Sequence, residues 1–296
     1  MTRPVPAVVA ARAAVLACML AGACPSGALA AEQTAKARLG AAKSFTMALG
    51  ATLTTSKIAR LATRDLVVVD GDDTSAKQVA GLQRRDAVVL GYLSVGTVEA
   101  WRSWFSLLRN DRLEALGDWN GERYANVSSA ALRDALADQI APQLLAKGFD
   151  GLLLGNVEMV EDHAAQADGM LELVTRIAAR VHAAGGVLMA QNGDTIITPY
   201  LPLLDGWNRE DASGTYDASS GKYVATGADA RRAARATLAA VRAAGVITTT
   251  TDYFASPSSK AARRAIRISC AAGAIPTISN AALSAVPKQP ARCTTK

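Results

Sequence analysis

The run GFDGLLLGNVEMVED, Gly148 to Asp162, decides how the rest of this chain is read. Its apolar centre, Leu152 to Leu154, passes directly into Asn156, Glu158, Glu161 and Asp162. A strand of a parallel sheet, covered on both faces, reads as an unbroken apolar run. One that empties into polar residues ends at a site. Runs of the same kind recur along the chain: DLVVVD ending at Asp70, AVVLGYLS ending at Ser94, RYANV around Tyr124 and VLMAQN ending at Asn192. DGWNRE ends at Glu210, VITTTTDY at Tyr253 and AIPTIS at Ser279. With GLLLGN they make eight expected strands.

Helical patterns fill the gaps. Ala130 to Ala146 is amphipathic, opens on Ser128 or Ser129 as N-cap, and is followed by Gly148. Met170 to Ala184 stops at Gly185-Gly186, Ala228 to Ala244 at Gly245, and Ser259 to Ala272 at Gly273. Strand–helix alternation predicts a parallel sheet under helices, and eight strands predict an α/β fold with a single (β/α)8 TIM barrel. The expected barrel spans 61–290. Residues 31–60 show no clear period and read as an N-terminal segment or linker, and 291–296 as a tail. The chain lacks a G-x-G-x-x-G after its first expected strand, a P-loop and a G-x-S-x-G elbow.

Residues 1–30 have the pattern of an export signal. Arg3 and Arg12 supply charge, Ala13 to Ala23 an apolar core, and Ala28-Leu29-Ala30 a small-x-small cleavage site. A periplasmic or secreted protein is expected, with no membrane span once the signal is removed. Lipidation at Cys24 fits less well, because the leucine of the preceding box is off by one. Export would remove Cys18 and Cys24 and leave Cys270 and Cys293, an even pair that points to a disulfide, two free thiols being the alternative. The formal charge of +6 falls to +4 without the two leader arginines, and no aromatic interleaving or zinc spacing supports nucleic-acid binding.

In such a barrel the chemistry sits at the C-terminal ends of the strands. Asp70, Tyr92, Ser94, Asn156, Gln191, Asn192, Glu210, Asp252 and Tyr253 all fall there, with Glu99, Arg102 and Glu158 in the loops that follow. Only two histidines exist, His163 and His182, and neither has an i, i+4 partner, which argues against a metal site or a Ser-His-Asp triad. Asp, Glu, Tyr and Asn suit glycoside hydrolysis, where one carboxyl is the acid and another the base or nucleophile. Trp101, Trp104, Trp119 and Trp207 lie near the same face, as sugar platforms or as braces of the rim. Glu99 stands three residues before Arg102, a spacing that pairs them on a helical turn. Asp70 doubles as a candidate cap of the turn after its own strand.

GYLSVGTVEAWR (Gly91 to Arg102), GFDG (Gly148 to Gly151), QNG (Gln191 to Gly193), NRED (Asn208 to Asp211), TDY (Thr251 to Tyr253) and GAIP (Gly273 to Pro276) occur in one order. Together they resemble glycoside hydrolase family 114, the endo-α-1,4-polygalactosaminidase-like family of (β/α)8 barrels, from about Asp65 to Pro287. The resemblance implies an exported enzyme that cleaves a galactosamine-containing exopolysaccharide without cofactor or metal. It implies two catalytic acids. One maps onto Glu210, as acid/base. The other, an Asp directly after the strand-four run, maps onto Gly155. Glu158 or Asp252 is then expected as the compensating carboxylate, and Asp70, Tyr92, Ser94, Glu99, Arg102, Trp119, Asn156, Gln191, Asn192, Trp207 and Tyr253 as substrate-binding groups. The alternative is a carbohydrate-binding pseudo-enzyme of the same fold.

Overall fold

The computed structural model describes residues 34–117 and 120–293. Within them, eight parallel strands form one sheet: β1 (Phe45–Met47), β2 (Leu66–Asp70), β3 (Val88–Ser94), β4 (Gly151–Gly155), β5 (Val187–Gln191), β6 (Gly206–Glu210), β7 (Ile247–Tyr253) and β8 (Ile275–Ser279). They pair in chain order, and β8 returns beside β1, so the sheet curls into a nearly closed (β/α)8 barrel.

Alternation along each strand divides the core in two. Phe45, Met47, Leu66, Val68, Val88, Leu90, Leu153, Val187 and Met189 pack into the barrel interior. Val67, Val69, Val89, Leu152, Leu154, Leu188 and Trp207 face the surrounding helices. The helix Ala35–Ala41 adds Ala35 and Leu39 to the interior cluster, and its Arg38 is ion-paired with Asp150 just before β4. The interior becomes polar towards β7, where Thr249 and Thr251 both donate to Asn208 Oδ1, at 2.9 and 3.1 Å.

Expected helices form at Ala167–Ala183, Ala228–Ala243 and Lys260–Ala271. The first two end at glycines in the left-handed region, Gly185 (φ 73°) and Gly245 (φ 81°), where a side chain would be strained. The segment expected as one helix over 130–146 is Ala130–Asp134 and Ala141–Leu145 joined by a π-helical turn, Ala135–Ile140.

Two expectations are corrected. RYANV is not a barrel strand: Glu122–Ala125 pairs antiparallel with Thr97–Glu99 and Arg112–Ala115 in a small sheet above the barrel. Its charged, part-exposed residues could not be covered on both faces. The missing barrel strand is β1, wholly buried and paired with β2 from Phe45↔Leu66 to Met47↔Val68. It lies in the stretch read as a linker, hidden because three residues are too few to establish a period. Residues 35–61 are therefore part of the barrel. The tail is held too, since Cys293 is bonded to Cys270 on the last helix. The leader, Cys24 and Trp119 lie outside the described residues. No helix among the described residues is long and apolar enough to cross a membrane.

Candidate active site

Three adjacent strands end in the same way. The residues after β4, β5 and β6 are Asn156 (φ 61°), Asn192 (φ 57°) and Asp211 (φ 54°), all in the left-handed region. Asn and Asp tolerate that conformation best among residues with side chains. The reversal turns the chain at the barrel mouth.

Asn192 lies between the two glutamates. Its Nδ2 reaches Glu210 Oε2 at 3.0 Å and Glu158 Oε1 at 3.4 Å. One amide NH2 group therefore reaches both carboxylates. Glu210 Oε1 accepts the Tyr253 hydroxyl. Both oxygens of Glu210 are thus held, whereas Glu158 Oε2 is buried with no partner among the described residues. Burial, reinforced by Glu210, pushes the Glu158 carboxyl up to about 7. Burial and Glu210 likewise push Asp211 up to about 7. Tyr253 is raised well above its ordinary range, by burial and then by Glu210.

A second cluster stands where the chain leaves β2 and β3. Arg102 makes a two-pronged pair with Glu99 and reaches Asp70 Oδ2 at 2.6 Å. All three are buried. Burial works against the Arg102 charge, but Glu99 and Asp70 outweigh it and keep the guanidinium protonated. Asp70 Oδ1 accepts the amides of Asp72 and Asp73, both at 2.9 Å. Asp70, Glu99 and Arg102 therefore tie the loop after β3 to the turn after β2, and their polar atoms are committed to one another. Beside them a cleft of about 310 Å³ opens between Ala48–Leu53 and Asp70–Thr74.

Tyr92 and Ser94 point inward from β3 and meet Asn156, whose Nδ2 donates to Ser94 Oγ (2.9 Å), Thr97 Oγ1 (3.2 Å) and Tyr92 Oη (3.4 Å). Gln191 is buried at the end of β5, and its Oε1 has no partner among the described residues.

Two expected site residues face away. Trp207 is fully buried between β6 and the helices, with Nε1 donating to Asn192 O at 2.7 Å. It braces Asn192 and offers no face to a sugar. Asp252, also fully buried, precedes the inward Tyr253 and so points outward. Its Oδ1 accepts the amides of Ser213 (2.6 Å) and Gly214 (3.0 Å), which fastens the loop after β6. Asp252 is a poor candidate for the compensating carboxylate.

The residue reading missed Asp211 and Arg209. The clue was in NRED, where Asp211 directly follows the strand-ending Glu210. Arg209 pairs with Asp194 at 2.7 Å and reaches Asn192 Oδ1 at 3.4 Å. Glu122, in the small sheet, was also missed; burial and Glu99 raise it to about 7. Among the described residues no group of three or more His, Cys, Asp or Glu is arranged to hold a metal ion.

An eight-stranded barrel with paired carboxyls, tyrosines and asparagines at the C-terminal rim has the layout of a carboxylate-dependent glycosidase. The chain belongs to glycoside-hydrolase family GH114, whose profile matches residues 26–289. Solved structures share the fold. The glycoside hydrolase domain of PelA from Pseudomonas aeruginosa has a TM-score of 0.71 at 20% identity, covering 82% of this chain and 96% of that one. Aspergillus fumigatus Ega3, solved with galactosamine, has a TM-score of 0.68 at 20% identity, covering 85% and 95%. An α-galactosidase from Thermus thermophilus has a TM-score of 0.55 at 14% identity, covering 80% and 57%. No curated protein matches the sequence.

Proposed function

We propose that this protein is an exported hydrolase of galactosamine-containing polysaccharide, with Glu158 and Glu210 as its carboxyl pair. The observation that carries the reading is the Asn192 amide within reach of both glutamates, in environments that differ. Two carboxyls whose surroundings set them apart divide into acid and partner. Glu158, half-buried with its Oε2 shielded and without a partner, and raised to about 7, is the proton donor to the leaving oxygen as the C1–O bond breaks. Glu210, with both oxygens accepting, is the carboxylate that attacks the anomeric carbon. This assigns Glu210 the nucleophile's role in place of the acid/base role implied by the resemblance. A retaining pair works in this way, with one carboxyl as acid and the other as nucleophile. Water then releases the glycosyl group, with Glu158 as base.

Galactosamine is the favoured sugar because of the family and because Ega3 was solved with it. Glu210, the carboxylate of the pair, would attract an amino sugar locally despite the formal net charge of +6. The export pattern of residues 1–30 supports a location where such a polymer is met.

A second reading, sugar binding without turnover, rests on Gly155, which leaves β4 without a carboxyl. Mass spectrometry of products from partially deacetylated galactosamine oligomers separates the two. Wild type should cleave, and Glu210→Gln and Glu158→Gln should each lose ~10²–10⁴ in rate. Full cleavage by either variant would remove that glutamate from the mechanism. Binding by wild type with no products would favour the second reading.

A further inference from the structure

Two helices that pack on β7 carry the excess positive charge of the chain. Ala228–Ala243 holds Arg231, Arg232, Arg235 and Arg242 against a single acid, Asp229. Lys260–Ala271 holds Lys260, Arg263, Arg264 and Arg267 and no acid. The surplus on these two helices exceeds the formal net charge of the whole chain, +6, so the remainder is slightly acidic.

The cations are aligned. The spacing of Lys260, Arg263, Arg264 and Arg267 puts them on one helix face, and all four are exposed. Ala262, Ala265 and Ser269 are buried on the opposite face. Arg231, Arg235 and Arg242 share a face of the other helix, whose Ala234, Leu238 and Val241 are buried. Arg242 joins the two rows. A Cβ on Gly273, just past the end of Lys260–Ala271, would lie 2.6 Å from Arg242 Cζ, so the guanidinium lies across that helix end.

Stability does not account for this face. Like charges three and four residues apart weaken a helix. Elsewhere the chain balances its arginines: on Ala167–Ala183, Arg176 pairs with Asp134 and Asp138, and Arg180 with Asp138. Among the described residues Arg235, Arg242, Lys260, Arg264 and Arg267 make no ion pair and no side-chain hydrogen bond.

We propose that this flank docks the protein on an anionic lipid surface by its phosphate headgroups. Guanidinium matches phosphate with two parallel hydrogen bonds. The cations stand on the outer wall of the barrel, where a plane of phosphates can meet them in any register. Neither helix contains an aromatic residue on which a base could stack, and both are held against the sheet by their buried faces, so neither is free to enter a groove. Neither carries an exposed large apolar side chain, so the contact is electrostatic and stays at the surface. The helices run along the barrel wall, so a molecule lying on this flank keeps its mouth open to the side. The proposal is independent of which sugar the mouth takes.

The test is co-sedimentation with vesicles, using the chain without residues 1–30, which contains the whole barrel. It should bind vesicles of phosphatidylcholine with phosphatidylglycerol and ignore phosphatidylcholine alone. Binding should fall steeply as salt is raised. Each basic residue at such a surface is worth roughly fivefold in affinity, so Arg264→Gln with Arg267→Gln should lose about 25-fold. Arg84→Gln with Arg85→Gln removes the same charge from another part of the barrel and should lose less than about threefold. Melting curves on both variants should match wild type, since all four side chains are exposed. No binding to the anionic vesicles overturns the proposal. Equal losses in the two double variants would show that net charge acts without a dedicated face, and overturn it too. Tighter binding to duplex DNA than to vesicles at equal phosphate would assign the face to nucleic acid instead.

Discussion

Asn192 holds Glu210 with both ends of its amide: Oδ1 accepts the Glu210 backbone N–H at 3.0 Å, and Nδ2 donates to Glu210 Oε2 at 3.0 Å. One side chain thus sets both where β6 ends and where its carboxylate points. The left-handed turn at Asn192 and the bond from Trp207 Nε1 to its carbonyl fix the side chain in turn. Asn192→Ala should lower kcat by roughly 10–10²-fold, the scale expected when a reacting group is misplaced by about 1 Å. Asn192→Asp should be worse, because it aims a negative oxygen at two carboxyls. Steady-state kinetics beside Tm would check this, and a wild-type rate in Asn192→Ala would show that the grip is not used.

The pH dependence follows from Glu158. Its carboxyl is raised from 4.5 to about 7, so as an acid it is competent below that pH and lost above it. The rate should fall as pH rises through about 7, and Glu158→Gln should abolish this limb with the activity. Stability moves in the same direction. A carboxyl whose folded value is raised contributes fully below its unfolded value and loses that contribution as pH rises through the folded one. Between pH 4.5 and about 7, Glu158 should therefore make the wild type progressively less stable. Glu158→Gln should flatten that part of the curve in melts across the range. An unchanged slope would mean that Glu158 titrates as an exposed acid.

Strands β2 to β8 were legible because each runs into a polar end, most of them from an apolar stretch. β1 was not, since three residues give no period and only the pairing with β2 reveals it. RYANV misled for the opposite reason: it has strand composition, but strand propensity does not say which sheet is joined. At the site, Glu210 and Tyr253 stand on inward positions of their strands, a parity that the sequence could have supplied. The same parity argues against Asp252 and Trp207, both one residue out of phase. What no pattern could supply is that the Tyr92 ring covers Gly155, a contact between neighbouring strands more than sixty residues apart in sequence.

Asp252 provides a direct test of that parity argument. Asp252→Asn keeps an oxygen for the Ser213 and Gly214 amides and removes a buried charge that burial already raises to about 6. It should leave activity within a few-fold of wild type and stability at neutral pH nearly unchanged. Asp252→Ala strands both amides and should cost roughly 1–3 kcal/mol, loosening the loop that follows Glu210. Denaturant melts and rates on the two variants would check this. A loss of ~10² or more in Asp252→Asn without unfolding would return Asp252 to the chemistry.

The last prediction concerns the Cys270–Cys293 bond, which ties the tail to the helix Lys260–Ala271 across a separation of 23 residues. A loop of that size restricts the unfolded chain by roughly 3 kcal/mol in the entropy model. The tail passes the N-terminal end of β2, with Arg64 and Arg60 bonding the carbonyls of Pro287 and Val286. Those contacts close the barrel floor, far from Glu158 and Glu210 at the other rim. Cys293→Ser, or reduction of the wild type, should therefore lower Tm by several degrees while leaving kcat and KM below the transition unchanged. Reduction that abolished activity at a temperature where the fold persists would show that the tail reaches the site. Reduction without any shift in Tm would show that the floor is held by the arginine contacts alone.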